Sequence, residues 1–301
     1  MSHTAESTVT TTPPDKARRR LRWYQFSLRT LLVLVLLASV GMSWLAVRMQ
    51  RAKRQREAVE EIRRLGGEVM YDHKWIAPGS SIPNPEAPGP AWLRKLLGDD
   101  FFASVTWVAL GEPEMRATGL EYLTWMPQFP ELYPHRTQVT DAALEHLKGF
   151  TKLRTLYLVG TEVTDAALER LKGLTHLQEL FLGDAQVTDA GLVHLKGLTQ
   201  LETLDLISTE VTDAGLEHLK GLTLRQLYLT RTHVTDAGLE HLKELTGLRV
   251  LLLSDTKVSD AGLEHLRVLP QLRQVSLERT HVTDAGVKDL QEALPNVRIY
   301  H

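Results

Sequence analysis

LRTLYLVGTEVTDAALERLKGLTH, residues 153–176, decides the fold, because the next 24 residues, LQELFLGDAQVTDAGLVHLKGLTQ (177–200), run through the same pattern again. The shared unit is L-x-x-L-x-L-x-x-T-x-V-T-D-A-G-L-x-H-L-K-G-L-T-x. Its valine falls at Val139, Val163, Val187, Val211, Val234, Val258 and Val282, in steps of 24, 24, 24, 23, 24 and 24 residues. A fixed period of this length marks a solenoid, in which each unit buries its apolar face only against its neighbours. Function is then expected on a repeated surface rather than in a single pocket.

Within the unit, Leu156 and Leu158 alternate with Thr155 and Tyr157, which is strand periodicity with the leucines inward. Thr164 and Asp165 follow. Threonine suits a helix N-cap, and an aspartate in the first turn suits the positive end of the helix dipole. Leu168, Leu171 and Leu174 then mark one face of a short helix. Gly149, Gly173, Gly197 and Gly221 stand where a left-handed residue would close it. Glu244 and Val268 occupy that position in two other repeats, which are expected to close differently. Each unit reads strand, turn, helix, turn. Strands stack about 4.8 Å apart and helices about 8–10 Å apart, so the stack should curve with a parallel sheet inside and helices outside.

Degenerate copies extend the array upstream. Val105, Val108, Leu110 and Met115 fill the apolar positions of one unit; Phe129, Leu132, Pro134 and Val139 fill the next; Gly119-Leu120 matches the later Gly-Leu pairs. Val297 and Ile299 provide a terminal strand. This gives about eight repeats over 101–301. Thr137, Thr161, Thr209, Thr232, Thr256 and Thr280 form a column after the strands, each hydroxyl expected to satisfy a buried backbone group. Ala185 and Pro113 interrupt that column, so looser or differently bonded boundaries are expected there.

The other hundred residues read differently. Residues 1–29 are a polar, Thr- and Pro-rich tail ending in Lys16, Arg18, Arg19, Arg20, Arg22 and Arg29. Residues 30–47, TLLVLVLLASVGMSWLAV, carry no charge, and eighteen helical residues span about 27 Å, close to the ~30 Å of bilayer hydrocarbon. Trp23, Tyr24 and Trp44 near the ends suit the membrane interface. A transmembrane helix is expected, with a cleaved signal peptide and a buried soluble helix as alternatives. The Arg-rich tail favours a cytoplasmic N-terminus and repeats on the other side, although Arg48, Arg51, Lys53, Arg54 and Arg56 follow the span at once.

Residues 48–65 stay helical in character up to Gly66-Gly67, either as a solvated stalk or resting on anionic headgroups. The remainder of 48–100 reads as a short strand at 68–72, a proline-rich linker at 77–90, and a helix in AWLRKLLGDDFF that could cap the solenoid. Gly98-Asp99-Asp100 resembles a polymerase metal motif, but a turn explains it.

Composition narrows the function. Residues 1–64 hold 13 Lys and Arg against 5 Asp and Glu, net +8; the rest holds 22 against 32, net −10. An acidic repeat domain argues against nucleic-acid binding, which needs a basic face. The absence of cysteine removes disulfides and thiolate chemistry. No G-x-S-x-G, H-E-x-x-H, Walker loop or G-x-G-x-x-G occurs, so neither an enzyme nor a cofactor is expected.

The outward strand positions form two columns. One reads Ala109, Tyr133, Tyr157, Phe181, Asp205, Tyr228, Leu252, Ser276; the other reads Trp107, Glu131, Thr155, Glu179, Thr203, Gln226, Val250, Gln274. Trp107, Tyr133, Tyr157, Phe181, Asp205, Tyr228 and Leu252 are the candidate partner-binding residues, since aromatics on an exposed face are typical interface anchors. With Glu131, Glu179 and Asp184 close by, the partner should carry basic and apolar groups. Aromatics also favour strands and pack on each other across a ladder, which would explain the stripe without a partner. On the helices His146, His194, His218, His241 and His265 recur in register, broken by Arg170. Their expected spacing of about 8–10 Å is too wide for ready metal chelation, and duplication of one ancestral histidine accounts for them.

These motifs resemble leucine-rich repeats over residues 101–301. The V-T-D-A-G-L stretch is most similar to the cysteine-containing subclass found in F-box proteins, with threonine in place of its cysteine. FSLRTLL, the apolar span and the closing LPNVRIY resemble bacterial membrane-anchored proteins of this kind. The resemblance implies recognition of another macromolecule on the concave sheet. No F-box segment is visible, so a ubiquitin-ligase role is not implied. The expectation is a single-pass, membrane-anchored protein-binding module, or alternatively a structural envelope protein that self-associates through its solenoid.

Overall fold

Ten strands form one sheet in the computed structural model. The structure describes residues 28–72, 75–77, 80–81, 87–110, 117–126, 128–134 and 139–301. Residues 1–27 of the tail, Pro113, Met115 and Thr137 lie outside them. The strands are β1 (Glu68–Tyr71), β2 (Trp75–Ala77), β3 (Ser80–Ser81), β4 (Val105–Ala109), β5 (Glu131–Tyr133), β6 (Thr155–Tyr157), β7 (Glu179–Phe181), β8 (Thr203–Asp205), β9 (Gln226–Tyr228), β10 (Val250–Leu252), β11 (Gln274–Ser276) and β12 (Arg298–Tyr300). From β4 to β12 every pairing is parallel and in repeat register, so Leu156, Leu180, Leu204, Leu227 and Leu251 stand in one fully buried column. The degenerate first repeats are part of this core: Val108, Leu110, Leu120, Phe129 and Leu132 are all at most 1% exposed. β2 and β3 pair with each other where the stretch expected to be a linker begins, with Ala77 and β3 inside it.

The helices are α1 (Leu28–Arg64), α2 (Ala91–Leu97), α3 (Ala117–Leu123), α4 (Asp165–Leu171), α5 (Asp189–Leu192), α6 (Asp213–Leu216), α7 (Asp236–Leu239), α8 (Asp260–Leu263) and α9 (Asp284–Ala293). Several continue as 3-10 turns. At the start of α4 to α8 the expected cap forms, with Thr164, Thr188, Thr212, Thr235 and Ser259 accepting the N–H of the alanine two residues on. The aspartate beside the cap does more than complement a dipole. Asp165 Oδ1 accepts the Thr188 backbone N–H at 2.8 Å and its Oδ2 accepts the Thr188 hydroxyl at 2.6 Å, one repeat downstream. The same pair of bonds joins Asp141 to Thr164, Asp189 to Thr212, Asp213 to Thr235, Asp236 to Ser259 and Asp260 to Thr283. Each cap is thus stapled to the repeat before it. The glycine of D-A-G-L follows from this: a Cβ on Gly215 would meet Asp189 Oδ1 at 2.3 Å.

The threonine column behaves as expected where it is described. Thr161, Thr209, Thr232, Thr256 and Thr280 donate their hydroxyls to the leucine carbonyl three residues back, at 2.6–2.7 Å. At Ala185 the turn keeps its backbone bond to Leu182 at 3.1 Å, so the missing hydroxyl does not open it. The residue before this column is left-handed in six successive repeats: Gly160, Asp184, Ser208, Arg231, Asp255 and Arg279, with φ between 55° and 66°. The sequence hid this position because its letter changes every time.

The closing glycines need correction. Gly149 and Gly221 are left-handed, but Gly173 and Gly197 are not. Six repeats close with the same bond, from the N–H of Phe150, Leu174, Leu198, Leu222, Leu245 or Leu269 to the leucine carbonyl three residues back. Glu244 and Val268 therefore close as their glycine-bearing neighbours do. Glycine is needed where the 3-10 turn stops two residues early, leaving Lys148 and Lys220 extended with ψ 126° and 134°.

The N-terminal cap is also different. The second half of residues 48–64 of α1 is not a solvated stalk, because Ala58, Val59 and Ile62 are at most 2% exposed and join the repeat core. Gln55 donates to Asp100 and to the Ala103 carbonyl, and Arg56 pairs with Asp100 at 3.3 Å. Next to this helix β1 runs antiparallel to β4 and covers the sheet's first edge. By contrast α2, the expected cap, buries none of its residues. The physical reason is length: four helical turns with small and β-branched residues at spacing three and four cover a flat repeat end better than seven residues can. α1 ends as Gly67 and Gly66 donate back to Ile62 and Arg63, with Gly66 at φ 84°.

The chain divides into two units, residues 1–47 and 48–301. In the first, the charge-free stretch from Thr30 to Val47 is helical and exposed on all sides. It belongs to a helix long and apolar enough to cross a membrane, with a mean hydropathy of 2.3 in its most apolar window.

Candidate functional site

The parallel register places the two outward columns as the sequence orders them. Glu131, Thr155, Glu179, Thr203, Gln226, Val250 and Gln274 are successive neighbours beyond Trp107. Phe181 lies between Tyr157 and Asp205, and Tyr228 lies between Asp205 and Leu252.

The aromatics are not loose on this face. Trp107 and Tyr133 have ring centroids 5.5 Å apart, Tyr133 and Tyr157 stack at 5.7 Å and 25°, and Tyr157 and Phe181 approach to 5.0 Å. The four rings make a continuous ladder whose step matches the strand spacing of about 4.8 Å. Each ring shields the next, so the expected exposure is only partial, and Trp107, Tyr133, Tyr157, Phe181, Tyr228 and Leu252 are all half-buried. Asp205 interrupts the ladder and is 7% exposed. Packing across the ladder is therefore real; it leaves every ring partly exposed.

Carboxylates border the rings. Tyr133 donates its hydroxyl to Glu131 at 3.2 Å, and Thr155 donates to Glu179 at 3.1 Å. Burial pushes the Glu131 carboxyl above the usual range, against the Tyr133 hydrogen bond that lowers it, and the charge of Glu179 adds to the rise. Asp205 is raised for the same leading reason, partly offset by the Ile207 N–H that donates to its Oδ1 at 2.9 Å, with Asp184 adding repulsion. The Tyr133 and Tyr228 phenols are pushed up by burial and by neighbouring carboxylates. From β4 to β11 no outward strand position holds Lys, Arg or His. The face is therefore a partly dehydrated, electronegative strip flanking π-faces, with its carboxylates short of cationic partners.

Sequence reasoning found both columns, but it missed that Thr155, Thr203 and Asp205 are buried within them. The signal available was size: short side chains between large ones on adjacent strands are overshadowed. The histidines His146, His194, His218, His241 and His265 are half-buried on the helix side, away from this strip. Among the described residues no group of three or more His, Asp or Glu is placed to hold a metal ion.

A parallel sheet built of one strand per 24-residue unit, backed by short helices, defines a leucine-rich-repeat solenoid. Comparison with known proteins agrees. A family model described as Leucine Rich repeat matches residues 173–195. The chain is similar to the structure of internalin C2 from Listeria monocytogenes, at 27% identity over 65% of this chain and 80% of that one, with a TM-score of 0.51. It is also similar to an internalin (InlF) from the same organism, at 20% identity over 60% of this chain and 56% of that one, with a TM-score of 0.46. No curated protein matches it.

Proposed function

We propose that the chain is a membrane-anchored recognition module that binds a protein partner on its sheet face. The binding strip is centred on Trp107, Tyr133, Tyr157 and Phe181 and extends through Asp205, Tyr228 and Leu252. The observation that supports this most directly is the pairing of a stacked aromatic ladder with dehydrated carboxylates and no outward cation beside them. Such a strip suits an extended segment bearing Lys or Arg: the stem lies on the rings, a cation–π contact contributes about 0.5–2 kcal/mol, and the head group meets Glu131, Glu179 or Asp205. The partner rather than the chain itself supplies the missing charge. A catalytic role has no support in these groups, whose shifted carboxyls and phenols are accounted for by burial and by each other.

In this reading residues 30–47 are a retained transmembrane helix, the basic tail is cytoplasmic, and the solenoid lies across the membrane from it. Six cations precede the span in a short tail, while long C-terminal domains translocate largely regardless of charge. We also assign the repeats to the cysteine-containing subclass, with the buried threonines of the turn in the cysteine position.

A photo-crosslinking residue at Tyr157 in cells tests the binding face, with Glu217, exposed on the helix side, as control. A discrete adduct with another protein from Tyr157 and none from Glu217 is the expected result. Adducts only to other copies of the chain, or equal adducts from both sites, would reject the sheet-face reading in favour of a self-associating envelope protein.

A further inference from the structure

Cations on the helix side are neutralised where they arise: Lys172, Lys243 and Arg267 pair with Glu169, Glu240 and Glu264 three residues back. Three arginines at the far end of the sheet are treated otherwise. Arg225, Arg249 and Arg273 each stand one residue before the outward Gln226, Val250 and Gln274, at the entry to β9, β10 and β11. The ladder holds them in register: the Arg249 N–H donates to the Arg225 carbonyl at 2.7 Å, and the Arg273 N–H to the Arg249 carbonyl at 2.8 Å. Arg298 enters β12 beside them, its N–H donating to the Arg273 carbonyl at 2.8 Å. All four residues are exposed.

Like charges in register on neighbouring strands, about 4.8 Å apart, work against the fold. Arg225 has Glu202 at 3.4 Å, and Arg298 donates to the Tyr300 hydroxyl at 3.4 Å. Arg249 and Arg273 have no ion pair among the described residues. Glu244 is the only acidic residue in the three returns that lead into these strands, 220–225, 243–249 and 267–273. The carboxylates of the aromatic strip are too far away to substitute. β10 and β11 lie two and three strands beyond Asp205, about 10 and 14 Å, more than the ~8 Å screening length of physiological salt. The outward strand positions of β9, β10 and β11 hold no acid. The sheet face therefore has two unlike ends. From β5 to β8 carboxylates flank rings; from β9 to β11 an unneutralised guanidinium column borders an uncharged surface.

We propose that the arginine column is a second docking surface, which receives an acidic peptide segment of the same partner whose cationic segment lies on the aromatic strip. Guanidinium forks match carboxylates bidentately, and Gln226 and Gln274 beside the column add amide donors. A peptide fits better than a nucleic acid. A uniformly anionic polymer following the column would run on towards Asp205 and Glu179 over an acidic domain, whereas a peptide ends its acidic stretch where the column ends. The two ends of the face also set the direction of the partner along the sheet. Reversed, its acids would meet Glu131, Glu179 and Asp205, and its cations would meet Arg249 and Arg273. The proposal rests on the strip's being a binding surface for cations, and its test separates the two.

The chain has no cysteine, so Gln274→Cys, Val159→Cys or Glu217→Cys places a fluorophore uniquely in the full chain, held in micelles of a neutral detergent. Hexaglutamate and hexalysine peptides carrying a contact quencher are the probes. Hexaglutamate should quench the label at 274 several-fold more than the label at 217, which is exposed on the helix side. Arg249→Gln with Arg273→Gln should abolish that difference without lowering the urea midpoint. Equal quenching at 274 and 217, quenching at 274 that survives the double substitution, or a lower midpoint overturns the column as a docking surface. Hexalysine should quench at 159, two residues after Tyr157. That result with a failed column leaves the strip standing. Hexalysine quenching no more at 159 than at 217 overturns the strip, and the shared partner with it. A hexathymidylate that outdoes hexaglutamate at 274 makes the occupant a nucleic acid, and quenching between chains labelled at 274 with no probe present makes it a second copy; either overturns the proposal.

Discussion

The two sides of each repeat use sequence in opposite ways. On the helix side V-T-D-A-G-L recurs almost unchanged, and its polar letters have identified partners: threonine caps and is stapled, aspartate staples the next cap, and glycine leaves room for that aspartate. On the sheet side the inward leucines recur, while the outward letters change from Tyr157 to Phe181 to Asp205 to Tyr228. What recurs holds the stack together. What varies is free to be particular, and there the structure gathers rings and unneutralised carboxylates instead of the salt-bridged surface seen on the helices, where Lys172 pairs with Glu169 and Arg267 with Glu264.

Substitutions on the recurring letters should break the fold in a graded way. Leu204→Ala removes a fully buried side chain between two repeats; it should destabilise by about 2–5 kcal/mol, read as a lower urea midpoint. A loss well under that range would mean that the repeats collapse independently around the cavity. Asp189→Ala leaves the Thr212 N–H and hydroxyl without their acceptor and should cost about 2–3 kcal/mol. If Asp189→Asn behaves the same as Ala, charge rather than hydrogen-bond geometry makes the staple. Thr209→Ala should cost about 1 kcal/mol, because the Leu206 carbonyl keeps the Thr209 N–H at 3.3 Å after losing the hydroxyl at 2.7 Å. An unchanged midpoint would show that the turn at Ala185 is as good as its neighbours.

Much of this division was legible in the sequence. The period gave the solenoid, the alternation of Leu156 and Leu158 gave the strand faces, and the outward columns came out in their correct register. The aspartate staple was not legible, because its two halves lie in different repeats and a local reading takes Asp165 for a helix-dipole residue. The left-handed turn position escaped because Gly, Asp, Ser and Arg all occupy it. The cap escaped because residues 48–64 follow an apolar span and read as its continuation, whereas Ala58, Val59 and Ile62 are buried by a repeat that only the folded chain brings to them.

The smallest predicted effect sharpens the comparison most. Asp205 is a sheet-face residue that works against the fold: its carboxyl is buried, raised by desolvation, and repelled by Asp184. A carboxyl whose folded pKa lies above its unfolded value of about 3.9 holds its proton longer in the folded chain. Stability therefore falls as pH rises from the unfolded value through the raised one, and stays lower above it. Asparagine keeps the Oδ1 acceptor for the Ile207 N–H and carries no charge. Asp205→Asn should thus gain stability over the natural chain as pH rises through that window, and the gain should vanish in acid. Urea midpoints across pH measure it; a difference independent of pH would refute the assignment. The same substitution should weaken the Tyr157 adduct if the partner is cationic. A variant that folds better and binds worse would mark Asp205 as a residue that serves the face and not the stack.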